Sequence, residues 1–115
     1  MKNSKKINGV IMMKKSDVQL LETVEKDKAL EKLRDHEDGL VRLALAECGL
    51  FLEHFKDDDY WKVRRTVAEQ GFFLEQFKDD VNWHVRLAVA EQAFFLEQLK
   101  DDEHFDVKTK ALEQI

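Results

Sequence analysis

The sequence of 115 residues has no proline, a single cysteine and only four glycines. The lone Cys48 excludes an internal disulfide, which is typical of a reducing compartment and predicts a cytoplasmic protein. The absence of proline and the scarcity of glycine favour a mostly helical chain with short connections. No apolar run approaches the roughly 20 residues that a membrane-spanning helix needs, so we expect no membrane association.

Residues that would build a reaction centre are also scarce. Serine occurs only at Ser4 and Ser16, near the start of the chain, which disfavours a serine nucleophile. The four histidines show no paired metal-ligand spacing, and the aspartate pairs lack the alternating oxygen ligands of a calcium loop. The sequence therefore predicts a protein that is not an enzyme and that carries no metal ion or other cofactor.

The most regular feature that the sequence does have is a repeat of 22 residues. DDDYWKVRRTVAEQGFFLEQFK is followed directly by DDVNWHVRLAVAEQAFFLEQLK. The copies are copy 1 (35–56), copy 2 (57–78), copy 3 (79–100) and a partial copy 4 (101–115). A fixed period of roughly 20 to 50 residues is typical of a solenoid, in which each unit buries its apolar faces against its neighbours.

The repeat predicts how the chain is organised. Residues 1–15 carry five lysines and no acidic residue, and we expect them to form a flexible basic tail. Residues 16–115 are expected to form one helical-repeat domain. In that domain, residues 17–34 are interpreted as a degenerate repeat, and copy 4 is interpreted as a cap.

Each copy is predicted to hold one longer α-helix and one short α or 3₁₀ helix. The aspartate pair Asp57 and Asp58 precedes the longer helix, where carboxylates accept backbone N–H groups as N-caps. The longer helix is expected over about residues 59–70, and Gly71 can end it in the left-handed conformation. Residues 72–77 then have room for about two turns of a short helix.

Differences between the copies predict a direction for the array. One position of the longer helix holds Ala44, Thr66 and Ala88 in the first three copies. Its equivalent in copy 4 is Lys110, which predicts that this flank faces the C-terminal neighbour and turns polar where the array closes. The aromatic position of Trp61 is then expected to pack backward on the preceding copy.

A basic residue follows the core valine of every copy. This basic ladder comprises Arg42, Arg64, Arg86 and Lys108. We interpret it as structural, because a guanidinium at this place can reach turn carbonyls or aspartates such as Asp57 or Asp79 between copies. A ladder that binds phosphates is the alternative interpretation.

The polar side of the longer helices is a candidate binding surface, which we call the ridge. It comprises Leu40, Leu43, Glu47, Lys62, Arg65, Glu69, His84, Leu87 and Glu91. Leucines beside charges predict a non-catalytic module that binds a protein or peptide, as a monomer or a weak dimer. Nucleic-acid binding is the alternative function. The net charges of copies 1 to 4 are minus 3, minus 1, minus 2 and minus 3, which disfavours phosphate binding.

The core of the repeat reads VRLALAE at 41–47, VRRTVAE at 63–69 and VRLAVAE at 85–91. With acidic turns before it and a leucine-bearing segment after it, this core resembles the leucine-rich repeat variant family over residues 35–115. The resemblance implies an all-α, right-handed solenoid of longer and shorter helices, related to HEAT-like repeats. The chain departs from that family in its shorter, proline-free units. Some members carry an iron–sulfur segment, which the single Cys48 does not support.

Overall fold

The computed structural model describes residues 6–7, 10–11 and 26–115. The chain divides into two compact parts, which we call the N-terminal part (Met1–Asp35) and the repeat part (His36–Ile115). The predicted start of the domain, at residue 16, lies outside the described residues.

The N-terminal part contains a short strand pair and one helix among its described residues. Strand β1 (Lys6–Ile7) pairs antiparallel with β2 (Val10–Ile11). Residues 26–33 are helical and are called α1. Apart from this strand pair, the predicted flexible tail at 1–15 lies outside the described residues. The same is true of the degenerate repeat before residue 26.

The repeat part alternates longer helices of nine residues with short helices of four. The longer helices are α2 (Gly39–Glu47), α4 (Trp61–Glu69), α6 (Trp83–Glu91) and α8 (Phe105–Glu113), and the short helices are α3 (Leu52–Phe55), α5 (Leu74–Phe77) and α7 (Leu96–Leu99). Over residues 26–115 all regular structure is helical, which confirms the predicted all-α class.

The aspartate pair does not cap the longer helices, which begin later than predicted. Their N-cap residues are Asp38, Tyr60, Asn82 and His104. In copy 2, Asp58 Oδ1 instead accepts the backbone N–H of Tyr60 at 2.9 Å, and Asp80 and Asp102 repeat this bond in the next copies. The N-cap prediction was therefore wrong, because the carboxylate forms the turn that leads into the helix.

The second residue after each longer helix adopts a left-handed backbone in the first three copies. Gly49 and Gly71 have φ values of 79° and 87°, which confirms the predicted helix stop. Ala93 adopts the same conformation with φ of 63° although it carries a Cβ atom. An L-residue in this region costs roughly 1 kcal/mol, so copy 3 carries a strain that copies 1 and 2 lack.

A phenylalanine in the left-handed conformation precedes each short helix. Phe51, Phe73 and Phe95 have φ values of 55°, 57° and 55°. Lys56 Nζ lies 5.0 Å from the ring centre of Phe73, and Lys78 Nζ lies 5.6 Å from that of Phe95. The half-buried rings of Phe73 and Phe95 lie beside these ammonium groups, a contact that helps to offset the backbone strain.

The core lies where the longer helices meet each other and the short helices. Successive longer helices pack together as α2 with α4, α4 with α6, and α6 with α8. The largest fully buried side chains are Val63, Val67, Val85, Val89 and Val107 from the longer helices and Phe55, Phe77 and Leu99 from the short ones. Each junction between copies is thus filled by branched and aromatic side chains that exclude water.

One flank of the longer helices faces the opposite way from the prediction. Thr66 and Ala88 are buried, with exposed fractions of 9% and 2%, whereas Ala44 is exposed and Lys110 is half-buried. Within the repeat part, α2 has a longer helix after it but none before it, so a flank facing the following helix would bury Ala44. The flank therefore faces the preceding copy, and the prediction that Lys110 closes the C-terminal end was wrong.

The aromatic position at the start of each longer helix also faces the other way. Trp61 stacks on His84 of copy 3 with ring centres 4.3 Å apart, and Trp83 stacks on His104 of copy 4 at 3.9 Å. Phe105 holds this position in copy 4 and is 74% exposed. The predicted backward packing was wrong, since these rings contact the copy that follows.

Candidate functional site

The arginines of the basic ladder join each copy to the next. The pairs are Arg42–Asp58, Arg64–Asp80 and Arg86–Asp102. In the middle pair, Arg64 Nε donates to Asp80 Oδ2 at 2.8 Å and Nη2 donates to Oδ1 at 3.0 Å. Arg64 Nη1 also donates to the carbonyl oxygen of Asp58 at 2.7 Å. Each guanidinium thus holds the turns before two successive longer helices.

The acidic partner differs from the residues named in the prediction. Asp57 and Asp79, the first members of their pairs, accept bonds from Gln76 and Gln98 instead. The arginines use the second aspartates because those carboxylates lie beside the helix start at the junction. Lys108, at the same position of copy 4, forms no salt bridge among the described residues.

Burial and pairing fix the charge of the ladder. The side chains of Arg86 and Asp102 are only 9% and 8% exposed. The pKa of each ladder arginine is raised, mainly by its hydrogen bond to the aspartate and against the opposing effect of burial. Each nitrogen of these guanidinium groups therefore already donates to an acceptor of the protein itself.

Sequence reasoning missed a second ladder, formed by glutamines that follow the longer helices. Gln92 Nε2 donates to the carbonyl oxygen of Ala68 in the preceding copy at 2.6 Å and to that of Ala88 in its own helix at 2.9 Å. Gln70 and Gln114 make the equivalent bonds. The signal was present, because glutamine recurs at this position in three copies, whereas copy 1 has a cysteine.

A continuous stack of rings runs along the starts of α4, α6 and α8. Its order is Trp61, His84, Trp83 and His104, with successive ring centres 4.3, 3.6 and 3.9 Å apart. Burial lowers the pKa of His84, and the positive charge of Arg65 lowers it further. The imidazole of His84 is therefore neutral at pH 7 and acts as a flat spacer between two indole rings.

The structure places the nine ridge residues in different environments. Leu40, Glu47, Glu69 and Glu91 are exposed, while Leu43, Lys62, Arg65, His84 and Leu87 are half-buried. Lys62 Nζ and Arg65 Cζ lie 5.7 and 5.4 Å from the ring centre of Trp61. His84 belongs to the ring stack. The basic and histidine members of the ridge are thus held against aromatic rings, whereas its carboxylates extend into solvent.

Four ridge residues come together around one open groove between α2 and α4. The groove has a volume of about 470 Å³ and is lined by Leu43, Glu47, Arg65, Thr66, Glu69 and Gln70. Arg65 Nε lies 3.4 Å from Glu69 Oε1 at its edge. The ridge residues Leu87 and Glu91 do not line this groove. It combines the apolar side chain of Leu43 with charged side chains of both signs.

The described residues contain neither a metal-binding cluster nor a membrane-spanning helix. Over residues 26–115, no group of three histidine, cysteine, aspartate or glutamate side chains is arranged to hold a metal ion. None of the described helices has the length and apolar character needed to cross a membrane. Cys48 is exposed, at the copy 1 position where the other copies have glutamine.

Comparisons with known proteins returned no relatives. No protein-family model matches the chain, and no curated protein or solved structure matches it significantly. The resemblance to the leucine-rich repeat variant family therefore stays a prediction that rests on the VRLALAE core and its copies.

Proposed function

We propose that the chain is a small helical-repeat solenoid that binds a protein or peptide through the ridge and performs no catalysis. The groove between α2 and α4 is the observation that carries this proposal. Leu43 supplies apolar surface there, while Arg65 and Glu69 supply charges of both signs. A peptide with an apolar side chain between charged side chains matches such a lining.

The solenoid part of the proposal is supported by bonds that recur at constant sequence separations. Every ladder arginine reaches an aspartate 16 residues ahead. Every ladder glutamine reaches a carbonyl 24 residues back. Contacts confined to neighbouring copies are the defining property of a solenoid. The right-handed sense follows from the family resemblance.

The two ladders fix the positions of the longer helices that line the groove. This favours binding to a preformed surface over binding that requires the helices to move. The ladders join copy 1 to copy 2 through Arg42–Asp58 and through the bond of Gln70 to the Ala46 carbonyl. A groove on fixed helices loses little conformational entropy when it is filled. We therefore expect the groove to bind its partner without a change in backbone conformation.

Nucleic-acid binding is the weaker candidate. The phosphate-binding interpretation depended on arginines that are paired with buried aspartates, as Arg86 is with Asp102. The exposed ridge carboxylates add negative charge beside the half-buried Arg65 and Lys62. Counterion release needs clustered and accessible cations, which this surface does not offer.

Affinity capture from the cells of origin tests the ridge. We expect partners captured by the wild-type protein to be lost with Arg65→Ala and with Leu43→Ala. Lys32→Ala removes one exposed positive charge elsewhere and is the matched control. Equal capture by all variants would contradict the proposal, and capture that disappears after nuclease treatment would favour nucleic-acid binding instead.

A further inference from the structure

Two phenylalanines of the inner copies are exposed at equivalent positions, just after the left-handed ends of the longer helices. Phe72 is 52% exposed and Phe94 is 53% exposed. Complete copies lie on both sides of Phe72, because α4 packs against α2 of copy 1 and against α6 of copy 3. The ring of Phe72 is exposed although both neighbours are in place, so its exposure does not arise at an end of the array.

The backbone does not require phenylalanine at these two positions. In copy 2 the turn depends on the left-handed residues Gly71 and Phe73, and Phe72 between them has no positive φ. The ring of Phe72 meets that of Phe73 in the same turn, with ring centres 6.3 Å apart. Single exposed apolar residues are ordinary on protein surfaces, whereas aromatic residues that recur at one position of successive copies form an apolar patch.

Carboxylates are the outermost charges beside the two rings. Glutamates stand three residues before and three residues after each phenylalanine, at Glu69, Glu75, Glu91 and Glu97. The side chain of Glu75 is 77% exposed, whereas that of its partner Lys78 is 16% exposed. The corresponding values for Glu97 and Lys100 are 81% and 35%. A molecule that approaches the rings therefore meets carboxylates before it meets ammonium groups.

Two of these glutamates also lie where a positive charge would stabilise them. Glu69 and Glu91 are the last residues of α4 and α6, and neither helix has a basic residue in its last turn. The C-terminal end of a helix carries partial negative charge, which makes a carboxylate unfavourable there. The charge beside the two phenylalanines thus complements a basic partner.

We propose that Phe72 and Phe94, with the four glutamates beside them, bind a basic amphipathic helix of a partner protein. Equivalent positions of neighbouring packed helices are about 10 Å apart. Two apolar side chains seven residues apart on one helix are also separated by about 10 Å. An extended partner would instead need a sheet edge, and over residues 36–115 the structure contains no strand. The inference does not depend on the groove, because Leu43 and Arg65 take no part in this surface.

A model helix tests the apolar half of the surface. The probe is a capped peptide of lysine and alanine that carries two leucines seven positions apart. In an NMR titration of the isotope-labelled full chain, we expect the peptide to shift the signals of Phe72 and Phe94. The double variant Phe72→Ser/Phe94→Ser should bind at least about tenfold more weakly, which corresponds to about 1.4 kcal/mol. Both rings are exposed, so this variant should keep the wild-type melting temperature.

Matched variants separate this surface from the rest of the chain. The pair Glu75→Gln/Glu97→Gln should weaken binding of the peptide by about threefold, because two of its outermost charges are lost. Val81→Ser, at an apolar residue that is 93% exposed before α6, should bind like the wild-type protein. Leu43→Ala should bind the peptide normally too, so failure of this proposal and failure of the groove proposal give different results.

Three results would overturn the proposal. The first is equal binding of the peptide by the wild-type protein and by Phe72→Ser/Phe94→Ser. The second is the absence of any signal shift at millimolar peptide. The third is binding of equal strength by a peptide that carries glutamate in place of every lysine, since the carboxylates beside the rings would then have no role in recognition.

Discussion

Copy 2 and copy 4 follow the same sequence pattern but differ in how many of their polar groups find partners. In copy 2, Arg64 binds forward to Asp80 and Gln70 binds backward to the Ala46 carbonyl. In copy 4 the backward bond of Gln114 is kept, but the forward position is occupied by Lys108, which forms no salt bridge among the described residues. The difference shows that the polar bonds of this fold belong to junctions between copies.

We therefore expect substitution of a ladder residue to lower the free energy of unfolding strongly at a junction between two copies. The same substitution should have little effect on the side of copy 4 that faces away from copy 3. Stability in such an array is a sum of contributions from the repeats and from their contacts with nearest neighbours. The following substitutions test how strongly the inner and outer positions differ.

The largest expected effect comes from the arginine in the middle of the array. Arg64→Ala should lower the free energy of unfolding by about 3 kcal/mol, because it leaves the nearly buried Asp80 without its cationic partner. Lys108→Ala should cost less than about 0.5 kcal/mol. Urea unfolding followed by circular dichroism measures both values. Similar losses of stability for Arg64→Ala and Lys108→Ala would show that the stabilisation does not come from the Arg64–Asp80 pair.

The glutamine ladder gives the next effect. Gln92→Ala should cost about 1 to 2 kcal/mol, because the carbonyl groups of Ala68 and Ala88 lose their side-chain donor. Cys48→Ala changes the exposed equivalent in copy 1 and should leave the unfolding free energy unchanged within about 0.5 kcal/mol. An unaltered midpoint of urea unfolding for Gln92→Ala would show that water replaces the glutamine at no cost.

Smaller changes in stability, of opposite sign, are expected for two substitutions at the left-handed helix ends. Gly71→Ala should destabilise the protein by about 1 kcal/mol through backbone strain alone, because the new Cβ would meet only Gln92 Oε1 at 3.5 Å. Ala93→Gly should stabilise it by about 0.5 kcal/mol, since relief of strain is partly offset by the entropy of the unfolded chain. Thermal melting compares the two variants, and shifts of the same sign would refute this account.

The smallest effect concerns pH. Burial in the ring stack holds the pKa of His84 below its ordinary value of 6.5, so the unfolded chain takes up the proton first as the pH falls. The contribution of His84 to stability should therefore decrease between neutral pH and its folded pKa. His84→Gln should reduce the drop in melting temperature between pH 7.5 and 5.5. An unchanged drop in melting temperature for His84→Gln would contradict this assignment.

The sequence was sufficient for features that recur in every copy. The period predicted the all-α class, and glycine at position 71 predicted a left-handed helix stop with the correct φ sign. The core valines predicted the inner face of each longer helix, and Val63 and Val85 are fully buried. These features depend on local conformation and on hydrophobic spacing, and both can be read from a single copy.

Features that depend on how two copies meet were harder to predict. Lys110 replaces a small residue in copy 4, but one replacement does not reveal which neighbour its flank faces. The burial of Thr66 and the exposure of Ala44 decide that question, and both depend on the packing angle of the helices. The glutamine ladder was missed because a glutamine after a helix also suits solvent. Gln92 is a hydrogen-bond donor between copies because the folded chain places the Ala68 carbonyl oxygen beside its amide, which the sequence alone does not reveal.

The constant separations of the ladder bonds have an evolutionary consequence. Every such bond links a copy to its immediate neighbour, 16 residues ahead or 24 residues back. Deletion of residues 57–78 as one block would bring Arg42 to Asp80 and Gln92 to the Ala46 carbonyl, the same chemical pairs as before. Gene segments that encode whole copies can therefore be lost or duplicated without the need for a second mutation, whereas insertions of other lengths separate an arginine from its aspartate.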